Sequence, residues 1–145
     1  MKLSVVIPAH NEEGSIAQTV RDLYKKLENE NINHEILVVN DNSSDRTVEI
    51  LTELKFEIPT LFHVDNTPPH GFGYAVRHGL DHFSGDCVAI VMADASDLPQ
   101  DLVKFYRKMS EGNYDAVFGS RFIEGGKTLD YPKPKLAINR IANIF

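Results

Sequence analysis

The sequence predicts an α/β fold, a mostly parallel central sheet with helices on both faces. Two observations carry this. Five short β-branched or apolar runs alternate with stretches whose apolar residues recur at helical spacing. The runs are apolar throughout instead of alternating with polar residues, as strands covered on both faces are. In order, Leu3 to Ile7 is the first strand, ended by Pro8. From Glu12 a helix carries Ile16, Val20, Leu23 and Leu27 on one face, with Asn11 as its cap and Glu12 and Glu13 at its positive end. Glu35 to Val39 is the second strand, and the polar turn Asn40 to Asp45 leads into a helix with Val48, Leu51 and Leu54. Thr60 to Val64 is the third strand. The Pro/Gly-rich loop Thr67 to Gly73 then opens a helix whose inner face is Val76, Leu80 and Phe83. Cys87 to Met92 is the fourth strand, uniformly apolar and so expected at the centre of the sheet. Pro99 begins a helix with Leu102, Phe105 and Met109 inward, and Ala116 to Gly119 is the fifth strand. Pro132 and Pro134 precede a last helical stretch that stops abruptly at Phe145.

Composition narrows the function. At 145 residues, with 42% hydrophobic and 25% charged residues, the chain has the balance of one ordinary globular domain. One cysteine, Cys87, excludes an internal disulfide framework and any zinc site built on several thiolates. The opening MKLSVVIPAHNEE has too short an apolar run for a secretory signal, so a cytoplasmic location is expected. A net charge of −6 argues against nucleic acid as a partner. The charge is uneven: residues 127–145 carry four basic residues and one acid (+3), and the rest 11 basic and 20 acidic (−9). That tail is either a solvated helix face or a surface that meets phosphates or a membrane.

In parallel sheets ligands bind beyond the carboxyl ends of the strands. His10, Asn11 and Glu12 follow the first strand, Asp41 the second, Asp94 and Asp97 the fourth, Ser120 and Arg121 the fifth. Asp94 and Asp97 can share a hard divalent cation, or merely cap a turn and the helix at Pro99. Asp41 can accept from a nucleobase N–H, or serve an Asx-turn within Asn40 to Asp45. Gly71 and Gly73 let backbone approach a phosphate, with Arg77 one turn further on. His78 and His82 have metal-ligand spacing but no third ligand nearby, which favours a plain helix face.

The blocks VVIPAHNEE, VVNDNSSDRT, GFGYAVRHGL, SGDCVAIVMADASDLP and DAVFGSRFIEGG resemble, in order and over essentially the whole chain, the family 2 glycosyltransferases of GT-A fold. Within them the likeness is greatest to polyprenyl-phosphate sugar transferases of the dolichol-phosphate mannose synthase type. The resemblance implies an inverting transferase that moves a sugar from a UDP- or GDP-linked donor to a polyprenyl phosphate, with Mg²⁺ or Mn²⁺. It implies that Pro8, His10 and Glu12 hold the nucleoside, that Asp41 reads the base, and that Gly71, Gly73 and Arg77 lie near the diphosphate and sugar. It further implies that Ser120 and Arg121 meet the acceptor phosphate, with Arg140 as a later basic position; Lys135, in the same basic segment, is a further candidate to align that phosphate. Arg121 and Asp97 are then the catalytic residues, and Asp94 and Asp97 the metal ligands. The usual Asp-X-Asp is displaced, since Ala93 and Ala95 stand where its acids belong and only Asp97 keeps register with Pro99. The expected organisation is a donor-binding domain over 1–126 and a basic acceptor-side segment over 127–145, incomplete at the C-terminus, with peripheral contact at the cytoplasmic membrane face. Two other functions remain open: transfer to a glycan hydroxyl, which requires a carboxylate base, and nucleotide-sugar binding without turnover.

Overall fold

Two seven-residue strands, β1 (Leu3–Ala9) and β2 (His34–Asn40), are buried at every position and pair in parallel from Leu3↔His34 to Ala9↔Asn40. They form the middle of the sheet in the computed structural model, which describes residues 1–112 and 114–119. The remaining elements follow in alternation: α1 (Ile16–Asn29), α2 (Thr47–Glu57), β3 (Leu61–Asp65), α3 (Phe72–Leu80), β4 (Cys87–Ile90) and α4 (Pro99–Glu111). All described pairings are parallel, and the strand order is β3-β2-β1-β4.

Right-handed crossovers dictate which face each helix covers. The steps from β1 to β2 and β2 to β3 run one way and lay α1 and α2 on one face. The step from β3 back across the sheet to β4 lays α3 on the other. Strand residues divide accordingly. Leu3, Val5, Ile7, Ile36 and Val38 pack with Ile16, Val20, Leu23 and Leu27 of α1, Leu51 and Leu54 of α2, and Leu102 and Val103 of α4. Val6, Leu37 and Val39 face α3, where the buried helix residue in the cluster is Ala75. The strand order reverses between β1 and β4, so the loops leaving these two strands diverge and open a crevice at their carboxyl ends.

Five expectations change, one of them in α4, whose buried residues are Leu102 and Val103 while Phe105 is 37% exposed. The first helix starts at Ile16, with Ser15 before it, because Asn11 adopts a left-handed backbone (φ 55°) and spends its side chain on the next loop. The inner face of α3 is Ala75 and Gly79, with Leu80 turned outward, because the helix lies too close to Val6 and Val39 to admit large side chains. A methyl group at Gly79 would fall well inside contact distance of Val6 Cγ1 and 3.1 Å from Val39 Cγ2. The fourth strand is four residues long and, among the described residues, pairs only with β1, leaving Ile90 41% exposed. Ala116 to Gly119 forms no strand: Phe118 is exposed, and so short a run gains little without cross-strand partners.

At the amino end of the sheet, away from the crevice, a buried carboxylate ties three segments together. Glu35 accepts from Lys2 Nζ (2.6 Å), Ser4 Oγ (2.6 Å), Ser84 N–H (2.6 Å) and Ser84 Oγ (2.5 Å). Burial opposes its charge, but these donors prevail and bring its pKa from 4.5 to about 2.

Candidate functional site

Parallel register places the ends of β1, β2, β3 and β4 on one rim. Beyond the ladder, Asp41 N–H donates to Ala9 O (2.8 Å), Asn66 N–H to Asn40 O (2.8 Å) and Val91 N–H to Val6 O (3.0 Å). The loops carrying His10, Asp41, His70 and Asp94 therefore rise from the same edge. β2 and β4, from which the Asp41 and Asp94 loops leave, are two strand spacings, about 10 Å, apart across the sheet.

The first two loops are stitched together by short polar side chains. His10 Nδ1–H donates to Asp41 O (2.6 Å), which fixes the tautomer and leaves Nε2 to accept from Asn11 Nδ2 (3.2 Å). Asn11 Oδ1 accepts from Ser44 N–H (2.8 Å), and Asn11 N–H donates to Ser43 Oγ (3.0 Å). Glu12 N–H donates to Thr47 Oγ1 (2.8 Å), and Glu13 exchanges bonds with Asp45 and Arg46 N–H. Glu12 spends part of its carboxylate on Ser15 Oγ (2.6 Å), and Pro8 lies within β1 opposite Val39.

Asp41 is the hub between the second and third loops. It is 6% exposed. Oδ1 accepts from Asn66 Nδ2 (2.8 Å) and His70 Nδ1 (2.9 Å), and Oδ2 from Gly71 N–H (2.6 Å). Burial works against this charge, yet the bonds from Asn66, His70 and Gly71 and the charge of a protonated His70 hold the carboxyl below its usual range. A carboxylate has about four acceptor positions, so three protein donors leave one, on Oδ2. Gly71 (φ 129°) has a backbone that side chains disfavour, and this turns the loop directly into α3.

The third loop and α3 line an open pocket of about 420 Å³ formed by His70, Gly71, Phe72, Gly73, Tyr74 and Arg77. Gly71, Gly73 and Arg77 are the lining residues that the sequence reading names. His70 and Asn66 were missed by it, although each had a signal: Asn66 follows the third strand as Asp41 follows the second, and His70 sits between Pro69 and Gly71.

Beyond β4, Thr19 Oγ1 donates to Ala93 O (2.9 Å) and anchors the loop to α1. Asp94 Oδ1 accepts from Ser96 N–H (3.0 Å), Asp97 Oδ2 from Met92 N–H (2.9 Å), and Ala95 between them is left-handed (φ 59°). Both acids therefore shape the turn. Two carboxylates also match the oxygen chemistry of Mg²⁺ or Mn²⁺, which take one or two protein carboxylates and complete their shell with water and substrate phosphate. Among the described residues no group of three or more His, Cys, Asp or Glu is arranged to hold a metal, so a cation here would depend on that completion. Ser120, Arg121, Lys135 and Arg140, and the whole segment 127–145, lie outside the described residues.

The sequence model described as "Glycosyl transferase family 2" matches residues 4–145. The chain belongs to this family. Among its curated relatives is a dolichol-phosphate mannosyltransferase of Pyrococcus furiosus, 32% identical over 98% of this chain and 41% of the relative. Among solved structures, S. aureus TarS in complex with UDP-GlcNAc superposes with a TM-score of 0.63 at 24% identity, covering 84% of this chain and 38% of that one. A mannosyltransferase from Pyrobaculum calidifontis, in complex with GDP-Man and Mn²⁺, superposes with a TM-score of 0.58 at 26% identity, covering 63% of this chain and 27% of that one. The chain spans about two fifths of the length of the first curated relatives it matches. Among the described residues no helix is long and apolar enough to cross a membrane.

Proposed function

We propose that the chain transfers a sugar from a UDP- or GDP-linked donor to a polyprenyl phosphate, with inversion at the anomeric carbon. The observation that supports this most is the common rim, which gathers His10, Asp41, the Gly71–Arg77 pocket and the Asp94–Asp97 turn in a chain alike to a dolichol-phosphate mannosyltransferase over 98% of its length.

The nucleoside rests against the His10 ring, whose plane is fixed by its bond to Asp41 O, and the remaining Oδ2 position of Asp41 takes a ring N–H of uracil or guanine. Pro8 and Glu12 complete the wall of that subsite. The diphosphate lies over Gly71 and Gly73 with Arg77 as counter-charge. Asp94 and Asp97 hold a divalent cation, Mg²⁺ or Mn²⁺, which supplies positive charge to the leaving diphosphate. The acceptor phosphate is already anionic near neutral pH, so it needs alignment and no base. Ser120, Arg121, Lys135 and Arg140 supply that alignment, with Arg121 as the catalytic residue among them. The basic 127–145 segment meets the lipid headgroup at the cytoplasmic membrane face.

The test is transfer of radiolabelled sugar from UDP- and GDP-linked donors, comparing polyprenyl phosphate with hydroxyl-bearing glycan acceptors, with Mg²⁺ or Mn²⁺ present or chelated. Label moving to the lipid phosphate supports the assignment. Label moving to hydroxyl acceptors alone overturns it, and donor binding without transfer to either leaves a binding module.

A further inference from the structure

We propose that His70 contacts the diphosphate of the donor and that Asp41 serves as a positioning residue acting through it. This rests on the reading of the pocket as a nucleoside-diphosphate site, and it adds a residue that the family likeness did not supply.

The geometry is specific about the ring. His70 Nδ1 lies 2.9 Å from Asp41 Oδ1, so Nδ1 carries a proton and points at the carboxylate. Asp41 itself cannot swing, because Asn66 Nδ2 and Gly71 N–H grip it at 2.8 and 2.6 Å, and its ionised form is the favoured one. A ring fastened at Nδ1 to a fixed acceptor has its orientation set. Nε2, on the far side of the ring from Asp41, has no hydrogen-bond partner among the described residues. The ring is one wall of the pocket that also holds Arg77, and no carboxylate lines that pocket. Doubly protonated imidazole donates from both nitrogens, one bond to the carboxylate and one to a ligand oxygen. The Arg77 guanidinium, two glycines and an imidazole that donates from Nε2 when doubly protonated suit an anionic, oxygen-rich ligand, which is the chemistry of phosphate. Neighbouring groups agree: His10 turns its Nδ1–H to Asp41 O, and Asp65 is engaged by Asn40 Nδ2 (2.7 Å), so neither competes for His70.

Binding of UDP, GDP, uridine and guanosine to the 145-residue chain, measured by calorimetry with Mg²⁺ present, tests this. H70Q should weaken whichever diphosphate binds by about tenfold, the scale of one charge-assisted bond, and leave the matching nucleoside unchanged. H70R should recover most of the loss, because it restores a cation. Equal weakening of nucleoside and diphosphate, no weakening at all, or an H70R variant as weak as H70Q would each overturn the role of His70 while the nucleotide reading stands. Failure of the unmodified chain to bind either diphosphate overturns the nucleotide reading itself. A readout independent of variant folding is the His70 imidazole Cε1–H resonance in the unmodified chain. It should move much further on adding the diphosphate than on adding the nucleoside, and equal movement in the two titrations, or none in either, overturns the proposal.

Discussion

Replacing Gly79 with alanine tests how α3, and with it the pocket, is seated. Alanine is the better helix former by about 1 kcal/mol, so the change would stabilise an unhindered helix. Here the added methyl meets Val6 Cγ1 well inside contact distance and Val39 Cγ2 at 3.1 Å, and both are side chains of the central strands with no exposure. Overpacking of this kind costs about 1–3 kcal/mol, which outweighs the propensity gain and leaves a net loss of about 1 kcal/mol or somewhat more. For a domain near this size that lowers Tm by about 2–4 °C per kcal/mol in a thermal melt followed by circular dichroism. Gly73→Ala on the same helix is the control, since a Cβ there meets nothing within 4 Å and stability should hold or rise slightly. Val6→Ala combined with Gly79→Ala should show favourable coupling of about 1 kcal/mol, because the shortened valine makes room for the methyl. A Gly79→Ala protein as stable as the parent, with no coupling to Val6, would refute the close approach of α3 to the sheet.

The remaining predictions concern charge and chemistry. Glu35 ionises at about 2 when folded against a usual 4.5, so its contribution is fully present above 4.5 and is lost as pH falls from there towards 2. The shift corresponds to about 3 kcal/mol, so Glu35→Gln should flatten the acid limb of a stability–pH curve from urea denaturation, and an unchanged limb would contradict the network. Asp97→Ala should abolish metal-dependent donor binding in calorimetry; unchanged affinity and unchanged metal dependence would remove Asp97 from the site. Arg121→Ala should spare donor binding and lower transfer by about 100-fold in the radiolabel assay, whereas equal loss of both would assign Arg121 to the donor.

The central strands were legible because burial on both faces makes β1 and β2 apolar at nearly every position, a signal that needs no tertiary knowledge. Whether such a strand is central or peripheral is decided by its neighbours, and the apolar run at Cys87–Met92 does not encode them. The face of α3 was misread for a related reason. Pattern reading weighs large apolar side chains and so selects Val76 and Leu80, while the true contact surface is made by Ala75 and Gly79, whose smallness is the point. At the site, the strand-end rule singles out His10, Asp41 and the two acids of the fourth loop, while Gly71, Gly73 and Arg77 come from the reading of glycines ahead of a helix. It said nothing of the grip of Asp41 on Asn66, His70 and Gly71, since these partners are 25 to 30 positions away along the chain and meet it only once β2 and β3 pair. The sequence leaves Asp41 between a nucleobase contact and an Asx-turn, and the bonds to the third loop belong to neither alternative.

The two sides of the sheet differ in how firmly they are held. Among the described residues, the face under α3 is sealed by four fully enclosed side chains, while α1, α2 and α4 share a far larger apolar layer. Partial opening of the protein therefore begins by lifting α3, which detaches Gly71 and Arg77 without melting the rest. Amide protons of α3 will exchange with solvent sooner than those of α1, and a ligand spanning His10 and Arg77 will narrow that gap, acting as the clasp this side of the sheet lacks.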